Sequence, residues 1–132
     1  MATYLLDTNI ISLLIKGNQA VAKRLQQQPM CDIALSAITE GELLFGLGCR
    51  PHALALHQAV KAFTQRAQVL PWDSACAAAY GQTKAQLQSK GLSLGALDML
   101  IAAHAKAVGA ILVTNDQAML ALPDWQTQDW AA

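Results

Sequence analysis

The sequence predicts an α/β domain in which a short parallel sheet is covered by helices on both faces. Three observations carry this. Short apolar runs alternate with longer segments of helical period, the pattern of strand–crossover–strand units. Capping residues and glycines fall at the joins between them. At 132 residues the chain is one domain, 1–132, long enough for a sizeable core and free of internal repeats, linkers and low-complexity stretches.

Residues 3–6 read as a buried strand. Asp7-Thr8-Asn9 then offers cap chemistry for a helix reaching about Lys16, where Gly17-Asn18 breaks it. A second helix runs to about Gln28 and stops at Pro29. Ile33-Ala34-Leu35 is the next strand. Ser36 or Thr39 caps a helix that ends near Gly46 or Gly48, and Pro51 opens another to about Ala67. Val69-Leu70 forms a third strand. Asp73 or Ser74 caps an alanine-rich helix to Ser89, closed by Gly91. Residues 96–108 form a helix closed by Gly109, Ala110–Val113 a strand and Asn115–Leu120 a short helix. The tail Trp125–Trp130 adds an edge strand.

Composition narrows the function classes. No apolar stretch is long enough to span a bilayer, and Met1-Ala2-Thr3-Tyr4 lacks the basic start of a signal peptide, so the expectation is a soluble, cytoplasmic protein. The three cysteines, Cys31, Cys49 and Cys76, have no metal-site spacing and are expected to be reduced, mostly packed thiols. His52 and His57 are five apart, off one helix face, and His104 stands alone. The net charge is zero, so nothing advertises nucleic acid, although nine Lys and Arg suffice for a local patch. Charged residues make up 14%, against about 25% in ordinary domains. A surface so poor in charge fits one partly covered by a partner, and equally a composition in which alanine inflates the apolar share.

Four carboxylates stand in apolar surroundings that normally exclude charge. Asp7 follows Tyr4-Leu5-Leu6, and Asp116 follows Ile111-Leu112-Val113-Thr114-Asn115. Glu42 lies at helical spacing from Ile38 and Phe45, and Asp98 from Leu94, Ile101, Ala102 and Ala105. Burying an ionised carboxylate is costly unless a cation or hydrogen bonds compensate it. Four of them in one domain suggest that they meet around a divalent ion. Two fall at strand ends, where open α/β sheets bind ligands. Oxygen-only donors favour Mg²⁺ or Mn²⁺ over zinc, and the reaction class natural to such a centre is phosphodiester hydrolysis. Asp7 and Asp116 also have plain cap chemistry, and Glu40 competes with Glu42 because Leu43, Leu44 and Leu47 flank both. Ser12, Ser36 and Ser93 have no histidine nearby in sequence, which argues against a serine nucleophile. Gly46-Leu47-Gly48 lacks the further glycine of a dinucleotide loop, and no Walker A sequence is present.

At these residues the chain resembles the PIN-domain ribonucleases, and more closely the VapC toxins of bacterial toxin–antitoxin pairs. The resemblance runs through Leu5-Leu6-Asp7-Thr8-Asn9-Ile10-Ile11, Ser36-Ala37-Ile38-Thr39-Glu40-Gly41-Glu42-Leu43-Leu44-Phe45-Gly46, Gly95-Ala96-Leu97-Asp98-Met99-Leu100-Ile101-Ala102-Ala103-His104-Ala105 and Leu112-Val113-Thr114-Asn115-Asp116. It covers the whole chain and implies a PIN-like three-layer α/β/α fold. It places the catalytic and metal-binding acids on Asp7, Glu42, Asp98 and Asp116, choosing Glu42 over Glu40. Thr114 matches a hydroxyl residue beside the metal site, and Asn9 a polar residue supporting the first Asp. The implied protein is an endoribonuclease using Mg²⁺ or Mn²⁺, homodimeric, with a VapB-like antitoxin as partner and RNA as substrate. Gln128-Asp129-Trp130 resembles the ending of toxins that cut initiator tRNA. Two departures stand out: Met119 replaces an aromatic common three residues after the last acid, and Leu92-Ser93 follows Gly91 where Arg-Pro is common.

Two other readings compete. A phosphoacceptor receiver domain has a similar layout, but this chain has a lone Asp7, no acid after Ile33-Ala34-Leu35 and no Lys after Val113. A catalytically idle scaffold that only binds a partner would not need all four acids.

Overall fold

A computed structural model of the chain describes residues 2–132. The elements are β1 (Tyr4–Leu6), α1 (Thr8–Ile15), α2 (Gln19–Gln26), a 3-10 turn (Met30–Asp32), β2 (Ile33–Ser36), α3 (Ala37–Gly48), α4 (Leu54–Arg66), β3 (Gln68–Leu70), α5 (Ser74–Ser89), α6 (Ala96–Val108), β4 (Ile111–Val113), α7 (Gln117–Leu120) and β5 (Thr127–Gln128). Every expected element is present. Helix α4 begins at Leu54 rather than at Pro51, with Ala53 as a cap residue that makes no side-chain hydrogen bond. The backbone turns instead, with Ala53 N–H donating to Arg50 O at 3.1 Å. Helix α7 begins only at Gln117, since Asp116 is its cap.

The strands form one sheet in the order β3-β2-β1-β4-β5, all pairs parallel. This order also removes the receiver reading, whose strands run 2-1-3-4-5. The direction of winding reverses between β1 and β4, so the topological switch point lies at their carboxyl ends. Gly109 ends α6 in the left-handed region, at φ +68, and lets the chain turn directly into β4.

Successive strand residues point to opposite faces, and two cores result. Leu5, Ala34 and Leu112 pack with Leu87, Met99 and Ala102 from α5 and α6. Leu6, Ile33, Leu35 and Val113 pack with Ile10, Ile11, Val21, Val60 and Phe63 from α1, α2 and α4. This is the three-layer α/β/α arrangement the resemblance implied. Met119 is fully buried in the first core, so the missing aromatic is a packing change. Trp130 is fully buried in the second; its Nε1–H donates to Gln128 Oε1, which also accepts from Arg24. Gln128 and Trp130 thus fasten the tail to α2.

Two sequence expectations need correction. Cys76 is buried, and burial pushes its thiol pKa up, but Cys31 and Cys49 are exposed because they lie in the 3-10 turn and at the end of α3. Phe45 is 75% exposed, so the line Ile38–Glu42–Phe45 does not face the core; the buried face of α3 carries Thr39 and Leu43. Among the described residues, no helix is long and apolar enough to cross a membrane.

Candidate active site

The register of β1 and β4 builds the first half of the site. Leu6 pairs with Val113, and Asp7 N–H continues the ladder to Val113 O at 2.9 Å. Asp7 and Thr114 therefore emerge side by side at the switch point. Thr114 is fully buried and its hydroxyl donates to Asp7 Oδ2 at 2.6 Å. Thr114 Oγ1 in turn accepts the Asp116 backbone N–H at 3.0 Å, so one threonine ties both acids together. Asp7 Oδ1 accepts from Ile10 N–H and caps α1; Asp116 Oδ1 accepts from Met119 N–H and caps α7. The cap reading and the ligand reading of these acids are compatible. Capping occupies one lone pair and fixes the rotamer, leaving further acceptor capacity on the carboxylate.

The other two acids come from the helical layers. Asp98 lies in the first turn of α6, where Gly95 leaves space beside its carboxylate. Glu42 lies one turn after Thr39 on α3, and its Oε1 accepts the Thr8 hydroxyl at 2.6 Å. Asp7 lies within Coulombic reach of Asp98 and Asp116, and Asp98 within reach of Asp116 and Glu42. The four expected residues thus form one connected set. Glu40 shares no hydrogen bond with them among the described residues.

Asp7 is 2% exposed. Burial raises its pKa above the ordinary 3.8, the Thr114 and Ile10 hydrogen bonds pull it back, and the charges of Asp98 and Asp116 raise it again. Asp98 is raised by burial, then by Asp116 and Glu42. Among the described residues, no lysine or arginine is one of the main groups acting on either acid. The positive ends of α1 and α6 offset part of the repulsion. Because the folded chain holds these protons more tightly than the unfolded chain does, stability without a cation falls as pH rises from 3.8 through the raised values. A cation must displace the same protons, so its binding weakens as pH falls into that window.

This donor set fits a hard divalent cation. It is all oxygen and mutually repelling. Among the described residues no three of the His, Cys, Asp and Glu side chains stand close enough to enclose an ion as they are placed. Mg²⁺ takes one or two carboxylates and keeps several waters, whereas a structural zinc site is closed by its protein ligands.

Asn9 is exposed and makes no side-chain hydrogen bond to Asp7 among the described residues; Thr114 and the Ile10 amide support that carboxylate instead. Reasoning from sequence overlooked Thr8, whose hydroxyl holds Glu42; its position beside Asp7 was the available signal. It also overlooked a contact between Ser36 and a histidine distant in sequence. Ser36 Oγ lies 2.7 Å from His104 Nδ1 and accepts the Ile38 N–H. This pair is not a nucleophile and its base. Both residues are buried, Ser36 caps α3, burial lowers the His104 pKa, and His104 Nε2 has no acid to orient it. At the place of the missing Arg-Pro, Leu92 is an exposed apolar residue.

The PIN domain family matches residues 4–124. The tRNA(fMet)-specific endonuclease VapC of Shigella flexneri is 33% identical over 135 residues, spanning 99% of this chain and 100% of that protein. Ribonuclease VapC2 of Haemophilus influenzae is 31% identical over 134 residues, 98% of this chain and 99% of that protein. Among solved structures, VapBC2 from Rickettsia felis, bound to a DNA fragment from their promoter, contains a chain that superimposes with a TM-score of 0.87 at 30% identity, covering 96% of this chain and 97% of that one. With the order and spacing of its acids, these matches place the chain in the PIN-domain family, within its VapC branch.

Proposed function

We propose that this chain is the toxin of a toxin–antitoxin pair: an endoribonuclease that hydrolyses RNA phosphodiester bonds with Mg²⁺ or Mn²⁺ and so stops translation in the cytoplasm. The observation that carries this is the mutual electrostatic reach of Asp7, Glu42, Asp98 and Asp116, which come from separate elements around the switch point. A bound divalent ion would lower the pKa of a water and neutralise charge developing on the phosphate. Asp7 and Asp116 are held for this by Thr114 and by the caps of α1 and α7, and Glu42 is held by Thr8. The Shigella relative is specific for tRNA(fMet), so tRNA is the first substrate to test. Mapping RNA 5′ ends after brief expression identifies the target.

Cleavage is expected to require Mg²⁺ or Mn²⁺, to stop in EDTA and not to recover with Ca²⁺, whose longer bonds and higher coordination misplace the attacking water. Full activity of a metal-stripped preparation in EDTA would rule out a metal-dependent reaction.

The proposed partner is a VapB-like antitoxin, bound by a homodimer of the toxin. Leu14, Ile15, Leu25 and Phe63 line a groove between α1, α2 and α4, and Leu44 and Phe45 on α3 and Leu54 on α4 are exposed. Ile10 and Ile11 of α1 are fully buried in the core and take no part in this groove. An amphipathic segment suits this surface. Co-expression with the neighbouring gene should give a co-purifying, inactive complex. Separate elution with undiminished toxicity would refute the partner.

A further inference from the structure

Glu42 differs from the two capping acids, because no backbone amide holds its carboxylate. It stands on the side of α3, half-buried, on a long side chain with several rotatable bonds. Its one hydrogen bond among the described residues is the 2.6 Å contact from the Thr8 hydroxyl to Oε1. The Thr8 oxygen also lies 3.2 Å from the hydroxyl of Thr39, which is fully buried one helical turn before Glu42. A threonine hydroxyl has one proton and an ionised carboxylate only accepts. The Thr8 proton therefore goes to Glu42, and the Thr39 proton goes to the Thr8 oxygen. This fixes the order Thr39 to Thr8 to Glu42.

On the reading of this site as a divalent-metal nuclease, we infer that Thr8 and Thr39 are positioning residues that pre-set Glu42 for the cation. Thr8 occupies Oε1, and Oε2 is left without a hydrogen bond among the described residues. Thr39 keeps the Thr8 hydroxyl from rotating away. The arrangement parallels the one at Asp7, where a buried threonine from another element also donates to a carboxylate oxygen. Thr8 opens α1 immediately after Asp7, so the two ligands are placed from adjacent residues of one chain segment.

Outer partners of metal ligands typically change metal affinity or activity about 10- to 100-fold when removed. Thr8→Val keeps the shape and deletes the donor. It should weaken Mn²⁺ binding, measured by calorimetry without RNA, about tenfold or more, and lower kcat while leaving the KM for RNA unchanged. Thr8→Ser should restore both within about twofold, and Thr39→Val should fall between, its effect resting on one further bond along the chain. Melting curves accompany each variant. Wild-type Mn²⁺ affinity in Thr8→Val overturns the inference, as does a Thr8→Ser protein as impaired as Thr8→Val. If Thr8→Val does not fold, Thr39→Val decides, and wild-type affinity there overturns the inference. A wild-type protein that neither binds Mn²⁺ nor cleaves RNA overturns the nuclease reading and this inference together. A wild-type protein active with Mn²⁺ beside an unaffected Thr8→Val overturns this inference alone.

Discussion

Asp98→Asn is expected to bring RNA cleavage down to background while the protein stays folded. An amide has the volume of a carboxylate but not the charge that attracts a cation or the second acceptor oxygen. Loss of a single electrostatic contributor in an active site commonly costs about 10²- to 10³-fold in rate. Asp98 is coupled to both Asp116 and Glu42, so its loss weakens the whole set. Removing that charge also relieves repulsion in the metal-free protein, and the melting temperature should be unchanged or slightly higher in EDTA. Asp7→Asn should be equally inactive but gain less stability, because the Thr114 hydroxyl loses a 2.6 Å acceptor in a buried place. Wild-type rates in Asp98→Asn, at equal protein and Mg²⁺, would remove the acids from the mechanism. In the wild type, raising the Mg²⁺ concentration should move the acid limb of the pH–rate profile to lower pH, since the cation competes with protons on Asp7 and Asp98.

The sheet and its helices were legible because their signals are local. Asp7 and Asp116 cap their helices, and of the pairs Ser36 or Thr39 and Asp73 or Ser74 it is Ser36 and Asp73 that do so. Strand residues such as Leu5 and Leu6 can only be satisfied by a core on each face of the sheet. The strand order was not legible, since pairing β1 with β4 joins residues a hundred positions apart. Contacts made across the fold escaped for the same reason: Thr114 to Asp7, Thr8 to Glu42 and Ser36 to His104. Spacing misled at Phe45, because helical period identifies a shared face without saying what that face meets. Asn9 misled in the opposite way, being adjacent to Asp7 in sequence yet exposed on the first turn of α1.

The glutamates of α3 give the second large effect. Residues two apart on a helix point in nearly opposite directions, so one of Glu40 and Glu42 can face the Asp7–Asp98 cluster and the other cannot. The apolar line through Ile38 and Phe45 is a poor guide to which, since Phe45 is exposed. Better grounds are the Thr8 hydrogen bond to Glu42 and the Coulombic reach of Glu42 to Asp98. Glu42→Gln should therefore cost about 10²-fold or more in kcat, by the same loss of a charge from the site. Glu40→Gln should leave cleavage within a few-fold, because the charges that raise Asp98 are those of Asp116 and Glu42 and not that of Glu40. Thr8 sharpens the comparison. Its hydroxyl can donate to the amide oxygen of a glutamine as it does to the carboxylate, so Glu42→Gln keeps the local geometry and loses only the charge. Both variants are assayed on one RNA with saturating Mn²⁺. An inactive Glu40→Gln beside an active Glu42→Gln would mean that α3 presents its other side to the substrate, and the site would have to be rebuilt around Glu40.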